Sequence, residues 1–163
     1  MTLTIAPTTD GSGDIYVGGV LSKYKDTVVK RLIRLNSDGS IDSAFDIGSG
    51  FDDYTHSIAL ATDNSGDIYV GGKFQNYDGS NSKYIIRLNS DGSADTDFEV
   101  GDGFNGPVND LMVANDGSED IYIGGYFGGM SDGIRGMGGI GGSIGGFSGI
   151  VGVSGGMGGG FGR

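Results

Sequence analysis

The chain has 163 residues, a net charge of −11 and no cysteine. An acidic chain lacks the basic footprint that a phosphate backbone requires, so we expect neither nucleic-acid binding nor attachment to anionic membranes. The absence of cysteine excludes a disulfide framework and thiolate chemistry. No apolar run is long enough to predict a membrane span, and residues 1–5 do not have the pattern of a signal peptide.

Two regions of different composition follow one another. Residues 1–130 carry 20 acidic and 8 basic side chains, whereas residues 131–163 hold 16 of the 36 glycines and only three charged residues. We therefore place a boundary after Phe127, which divides the chain into a repeat region over residues 1–127 and a glycine-rich tail over residues 128–163.

The repeat region is organised around a motif that recurs every 53 residues. It reads Asp-Ile-Tyr-Val-Gly-Gly at 14–19 and 67–72, and Asp-Ile-Tyr-Ile-Gly-Gly at 120–125. Residues 11–63 and 64–116 align without a gap and are identical at 25 of 53 positions. A fixed period of this length is typical of repeat architectures, in which each unit buries its apolar face against the next.

Each repeat predicts four short strands and no helix, so the fold class is all-β. The second repeat has apolar strand patterns at 58–61, 68–70 and 84–88 and a short outer strand at 95–100, separated by turns rich in Asp, Asn, Ser and Gly. Four antiparallel strands in about 50 residues is the size of a β-propeller blade. The chain would hold two full blades and the first two strands of a third.

Two known repeats resemble these units. The double glycines at 18–19, 71–72 and 124–125 are similar to the hallmark of kelch repeats, although the usual kelch tryptophan is missing. The run from 67–72 through 87–93 to 103–104 resembles more closely the bacterial delta-sixty repeat, a predicted β-propeller family. This resemblance covers residues 1 to about 127; it implies a surface or secreted repeat protein and supplies no catalytic residues to carry over.

The tail shows a period of three. Bulky residues fall at positions 134, 137 and 140 and then, after a shift of one, at 144, 147, 150 and 153, with small residues between most of them. Three residues per turn is the geometry of the polyproline II helix, which polyglycine can adopt. The tail resembles the polyglycine II tips of phage tail-fibre adhesins, and a flexible low-complexity tail is the alternative.

Few residues are candidates for a site. The turns at 10–14, 63–67 and 116–120 could supply oxygen ligands to Ca²⁺, with Asp63, Asp67, Asp116 and Asp120 as weak candidates, but aspartate beside glycine is also ordinary hairpin chemistry. We expect no cofactor.

Other polar residues predict structural roles. We interpret the lone histidine, His56, as a loop residue. Arg34 and Arg87 recur at one position and Asp42 and Asp95 at another, which predicts an ion pair between blades.

Two and a half blades cannot close a propeller of about four to eight blades, so the chain is expected to associate. We predict a homo-oligomer, with a trimer preferred to a dimer, or docking on a larger partner. The predicted function is a non-enzymatic structural or adhesive component of a virion or cell exterior, with a phage tail fibre as the concrete version. The alternatives are a secreted or cell-surface propeller that binds a glycan or protein ligand and, more remotely, a hydrolase that uses loop carboxylates.

Overall fold

The computed structural model describes residues 3–98 and 103–126, and the backbone of residues 140–141 and 149–153. These residues form strands, turns and irregular segments, and none of them is helical. The all-β prediction is therefore confirmed. In the part of the chain that the structure describes, there is accordingly no helix that could cross a membrane.

The first two repeats have the same strands in the same order. The first repeat contains β1 (Leu3–Pro7), β2 (Ile15–Gly19), β3 (Lys23–Tyr24), β4 (Thr27–Val28) and β5 (Leu32–Leu35). The second contains β6 (Thr55–Leu60), β7 (Ile68–Gly72), β8 (Asn76–Tyr77), β9 (Ser80–Asn81) and β10 (Ile85–Leu88). The motif strand lies at the centre of each antiparallel sheet, in the orders β1-β2-β5 and β6-β7-β10, and each short hairpin, β3-β4 or β8-β9, forms a separate ribbon.

The predicted outer strand is absent from the first two sheets. After the third strand, Leu88 makes a single bridge to Ala94, and residues 95–98 form a turn in which the Phe98 amide donates to the Asp95 carbonyl. The Asp95 side chain accepts a hydrogen bond from the amide of Asp97 at 2.9 Å, which stabilises a turn rather than an extended strand. The prediction of a fourth strand is thus wrong for residues 95–98, and residues 99–100 lie outside the described residues.

The third repeat takes strands from the glycine-rich region. It contains β11 (Val108–Val113) and β12 (Ile121–Gly125), and the sheet continues with β14 (Gly149–Val153) and β13 (Ile140–Gly141) in the order β11-β12-β14-β13. Strand β14 therefore takes the place that β5 and β10 have in the other sheets. The polyglycine II prediction covers all of residues 128–163, but the two tail segments that are described are paired β-strands, and the rest of the tail lies outside the described residues.

The sheets stack in chain order. We call the side of each sheet that carries Ile15, Ile68 or Ile121 its front face, and the side that carries the motif tyrosine its back face. The back face of the first sheet packs on the front face of the second in one cluster, which includes Tyr16, Leu32 and Phe45 against Ile58, Ile68 and Val70. The back face of the second packs on the front face of the third in another, which includes Tyr69 and Ile85 against Leu111, Ile121 and Ile123. Burial of each large apolar side chain contributes about 1.5–3 kcal/mol, so these clusters hold the sheets together.

Candidate functional site

The first aspartate of each acidic turn forms the turn itself. Asp10, Asp63 and Asp116 each accept a hydrogen bond from the backbone amide two residues later, at 2.9, 2.9 and 3.0 Å. This is the Asx-turn geometry that aspartate adopts between two strands. These three side chains therefore have a structural role in the hairpin between the first two strands of each sheet.

An arginine holds the acidic turn of the second repeat. The Arg87 Nη2 atom lies 2.7 Å from Asp63 Oδ2 and 2.8 Å from Asp67 Oδ2, and Arg87 Nε lies 3.2 Å from Asp95 Oδ2. Arg87 also donates to the Tyr69 hydroxyl at 3.2 Å. Two of the candidate calcium ligands, Asp63 and Asp67, are thus brought together by a guanidinium group.

The charges of this cluster stabilise one another. Burial lowers the pKa of Arg87, but Tyr69 and the carboxylates of Asp63 and Asp67 outweigh burial and hold that pKa above its ordinary value. Burial raises the pKa of Asp63, whereas hydrogen bonds from Ser65 and the charge of Arg87 bring it below the ordinary value. The cluster is an ion-pair network that joins the turn to β10.

The third repeat has the same turn carboxylates but lacks an arginine at the position of Arg34 and Arg87 in the third strand. The register position of Arg34 and Arg87 is occupied by Gly152 of β14, which pairs with Tyr122. Asp116 and Asp120 therefore do not receive a guanidinium from this strand. In the described part of the chain, Asp120 Oδ1 and Glu119 Oε2 are buried without a hydrogen-bond partner. Among the same residues, no group of three or more His, Asp or Glu side chains is placed to hold a metal ion.

We expect Glu119→Gly to stabilise the protein by about 1 kcal/mol, because Glu119 has a left-handed backbone. Its φ is +60°, at the position where Gly13 and Gly66 have φ of +79° and +80°. The substitution removes the strain and a buried unpaired oxygen, at the cost of one hydrogen bond from Thr62. The measurement is the free energy of unfolding in urea. Glu119→Ala is the control, since it loses the hydrogen bond and keeps the strain; a gain for alanine equal to that for glycine would contradict the explanation.

Acid should destabilise the fold through its turn aspartates. Hydrogen bonds from the Ser12 side chain and amide lower the pKa of Asp10 to about 2, and the Ser118 side chain and amide lower that of Asp116. A lowered folded-state pKa gives stability that is complete above the unfolded pKa of about 3.9 and is lost as the pH falls through the folded pKa. We therefore expect the urea midpoint to fall between about pH 4 and pH 2. A urea midpoint that stays constant or rises in this pH window would show that the hydrogen bonds to these turn aspartates do not stabilise the fold.

The recurring arginine and aspartate pair within a repeat rather than between repeats. Arg34 forms its salt bridge with Asp42, and Arg87 with Asp95, so the predicted ion pair between blades is wrong for these carboxylates. Arg34 Nη1 does reach the second repeat, where it donates to the Ser90 carbonyl at 2.9 Å. In each of these two repeats the aspartate directly follows the bridge that closes the turn after the third strand, so it lies next to the arginine of that strand.

His56 lies in β6 and not in a loop, so that interpretation is wrong. Its Nδ1 atom is 3.1 Å from the Val108 carbonyl of the third repeat. In the next residue, Ser57 Oγ donates to Asp110 Oδ1 at 3.0 Å and accepts from the Leu111 amide at 3.2 Å. These polar groups join the second and third sheets, and they give the histidine a structural role.

The double glycine of the motif lets neighbouring sheets approach. Gly71 lies on the back face of the second sheet, and a Cβ atom there would be 2.5 Å from Val108 Cγ1 and 2.8 Å from Leu111 Cδ2. A Cβ at Gly18 would similarly be 2.7 Å from Thr55 Oγ1. The nearest described atom to a Cβ at Gly124 is the Asp110 carbonyl oxygen at 4.0 Å. The motif glycine is thus covered by the next sheet in two repeats, whereas in the third no described atom lies closer than 4.0 Å to a Cβ at this position.

The two outer faces of the stack are apolar and exposed. On the front face, Ile5 is 62% exposed, whereas its counterparts Ile58 and Leu111 are 8% and 6% exposed. On the back face, Tyr122 is 42% exposed, whereas Tyr16 and Tyr69 are 1% and 3% exposed. Sequence reasoning did not single out these residues, but the equivalence of positions 5, 58 and 111 is the signal that could have found them. They form the principal candidate interaction surfaces of the protein.

The family comparison agrees with this architecture. Residues 9–45 and 64–98 match a family described as "Domain of unknown function (DUF5122) beta-propeller". Each matched segment runs from the acidic turn through the motif strand to the phenylalanine after the third strand, so the two segments are the same part of successive repeats. No curated protein is significantly similar to the chain. The two family matches fall on the second and third strands of successive all-β sheets, so these segments are similar to β-propeller repeats.

Proposed function

We propose that this protein is a non-enzymatic structural or adhesive component of an extracellular assembly, in which the stacked sheets form a rigid module. The observation that carries the proposal is the exposure of large apolar side chains on both outer faces of the stack, including Leu3, Ile5, Met112 and Tyr122. Contiguous exposed apolar surface marks a site of association. Ile5 and Tyr122 have buried equivalents in the other sheets, Ile58 and Leu111 for the first and Tyr16 and Tyr69 for the second, which supports the proposal that another sheet covers them.

A phage tail fibre or related virion appendage is the concrete version of this proposal. The acidic composition suits an exterior protein that binds neither nucleic acid nor anionic lipid. The kelch-like double glycine and the resemblance of the tail to polyglycine II adhesin tips give further support. We propose that the tail completes or locks the assembly, which agrees with the pairing of β14 on β12.

A second candidate is a secreted or cell-surface bacterial module that binds a glycan or protein ligand. A cleft of about 360 Å³ lies between the first two repeats, and Asp46, Tyr77, Asp78, Asn81 and Ser82 are among its lining residues. The exposed carboxylate and amide groups of Asp46, Asp78 and Asn81 can hydrogen-bond sugar hydroxyls, whereas Tyr77 is buried beneath them. A glycan array, with and without EDTA, tests this candidate and any calcium requirement together.

The mass of the 163-residue chain in solution tests the primary proposal. An assembly module should be larger than the chain mass of 16.6 kDa, with a concentration-dependent dissociation. A variant that lacks residues 128–163 should associate more weakly and resist proteolysis less than the intact chain. A stable, fully folded monomer at all concentrations would refute the proposal, and unchanged assembly of the shortened chain would refute the role of the tail.

A further inference from the structure

We propose that two copies of this chain associate head to tail, with the front face of the first sheet of each copy docked on the back face of the third sheet of the other. The inference rests on the proposed function, because it names the partner of an assembly module and the surface that it uses. The residues from which we argue, on β1, β2, β11 and β12, all lie within the described part of the chain.

The internal interfaces show that these two faces are complementary. Positions 5, 15 and 17 of the first sheet correspond to Ile58, Ile68 and Val70 of the second and to Leu111, Ile121 and Ile123 of the third. In the second and third sheets these residues are buried against the back face of the preceding sheet. The first sheet carries Ile5, which is 62% exposed, and Ile15 and Val17, which are half-buried beside Val29, Ile33 and Leu35; no described sheet lies in front of them.

The back face of the third sheet has the matching features. Tyr122 corresponds to Tyr16 and Tyr69, which are buried under the next sheet. Gly124 corresponds to Gly18 and Gly71, which have no side chain where the next sheet comes close. Met112, at the position of Ala6 and Ala59, is exposed beside them and adds apolar area. The back face of the third sheet therefore fits a front face like that of the second or third sheet.

The number of sheets favours two copies. The described residues of each copy form three main sheets, so two copies joined through both outer faces have six such sheets. Closed propellers have about four to eight blades, whereas three copies would exceed this range. Head-to-tail contacts between two copies close into a two-fold ring with two equivalent interfaces and leave no outer face exposed. The structure thus favours the dimer, although the sequence led us to prefer a trimer.

Two substitutions test the two docking surfaces one at a time. Ile5→Lys places a charge on the exposed front face, and Gly124→Val fills the open space on the back face, where φ is not in the left-handed region. Val28→Lys is the matched control: Val28 is as exposed as Ile5, but its counterpart Asn81 is also exposed, so this position is not covered by stacking. Far-UV circular dichroism establishes that each variant is folded, and Tyr122→Lys replaces Gly124→Val if valine prevents folding.

Sedimentation velocity of the 163-residue chain gives the readout. We expect the wild type and Val28→Lys to form dimers of twice the chain mass of 16.6 kDa. Ile5→Lys and Gly124→Val should each raise the dissociation constant by about tenfold or more. A mixed dimer of these two variants keeps one of its two interfaces unmodified, whereas both interfaces of each variant's own dimer carry a substitution; where a substituted interface no longer forms, the equimolar mixture should therefore dimerise through the intact one.

The variants also distinguish the ways in which the inference could fail. If only one of the two substitutions abolishes the dimer, the contact joins like faces and the head-to-tail arrangement is refuted. If the chain associates and neither substitution weakens it, the arrangement is refuted while the proposed assembly role stands. A wild-type chain that is monomeric throughout the concentration range overturns both.

Discussion

Replacing Gly71 with valine is expected to lower the free energy of unfolding by about 3 kcal/mol. The side chain would point from the back face of the second sheet into Val108 and Leu111, where even a Cβ atom would lie 2.5 and 2.8 Å from their methyl groups. Neither residue can move away easily, because both are buried between two sheets. The second and third sheets would have to separate, which exposes the cluster that holds them together. Urea denaturation, followed by tyrosine fluorescence, measures the loss.

Gly124→Val is the matched control for this prediction. It makes the same chemical change at the same motif position, but the nearest described atom to the new Cβ is 4.0 Å away. At concentrations where the chain is monomeric, its free energy of unfolding should stay within about 0.5 kcal/mol of the wild type. Equal losses for the two variants would show that valine disturbs the strand itself, and the explanation by sheet contact would be wrong.

Arg87→Ala is expected to cost about 3 kcal/mol, since it leaves mostly buried carboxylates without their cation. Arg87 is within 3.2 Å of oxygens of Asp63, Asp67 and Asp95, and its own side chain is 19% exposed. It joins the hairpin turn, the third strand and the turn that follows that strand. Removing it therefore loses several charge-assisted hydrogen bonds at once and adds repulsion between the acidic groups. Urea denaturation at neutral pH is the measurement.

Two comparisons test this explanation. Asp63→Asn removes one of the more exposed partners and should cost only about 1 kcal/mol. The Arg87→Ala deficit should also shrink as the pH falls toward the folded-state pKa of Asp63, which lies below the ordinary value, because protonated carboxyl groups no longer need a cation. A deficit no larger than that of Asp63→Asn, or one that is constant with pH, would contradict the network.

The strands and turns that depend on local sequence could be predicted. Alternating apolar residues identified β7 and β10, and aspartate with glycine identified the turn at 63–66. The 53-residue period predicted that the sheets repeat. The predicted strand at 95–98 failed for a local reason, because the Asp95 side chain bonds the amide two residues later and closes a turn instead.

The contacts between distant segments could not be predicted. Nothing in the glycine-rich composition indicated that residues 149–153 pair with β12, because a run of glycine and apolar residues suits several backbone forms. The position of His56 in β6, opposite the Val108 carbonyl, depends on how two sheets pack. The choice of Asp63 and Asp67 as calcium candidates missed Arg87, which lies 24 and 20 residues from them in sequence but 2.7 and 2.8 Å away in space.

The sequence by itself determined that this protein is a stack of repeated antiparallel sheets, because strand alternation, turn residues and period are written in neighbouring positions. Only the tertiary structure decided which face of each sheet is covered. That choice depends on the space beside the motif glycine and on whether another sheet follows, and no residue carries this information alone. Ile5 and Ile58 have the same chemistry, yet one is exposed and the other buried, since among the described residues only the second has a sheet in front of it.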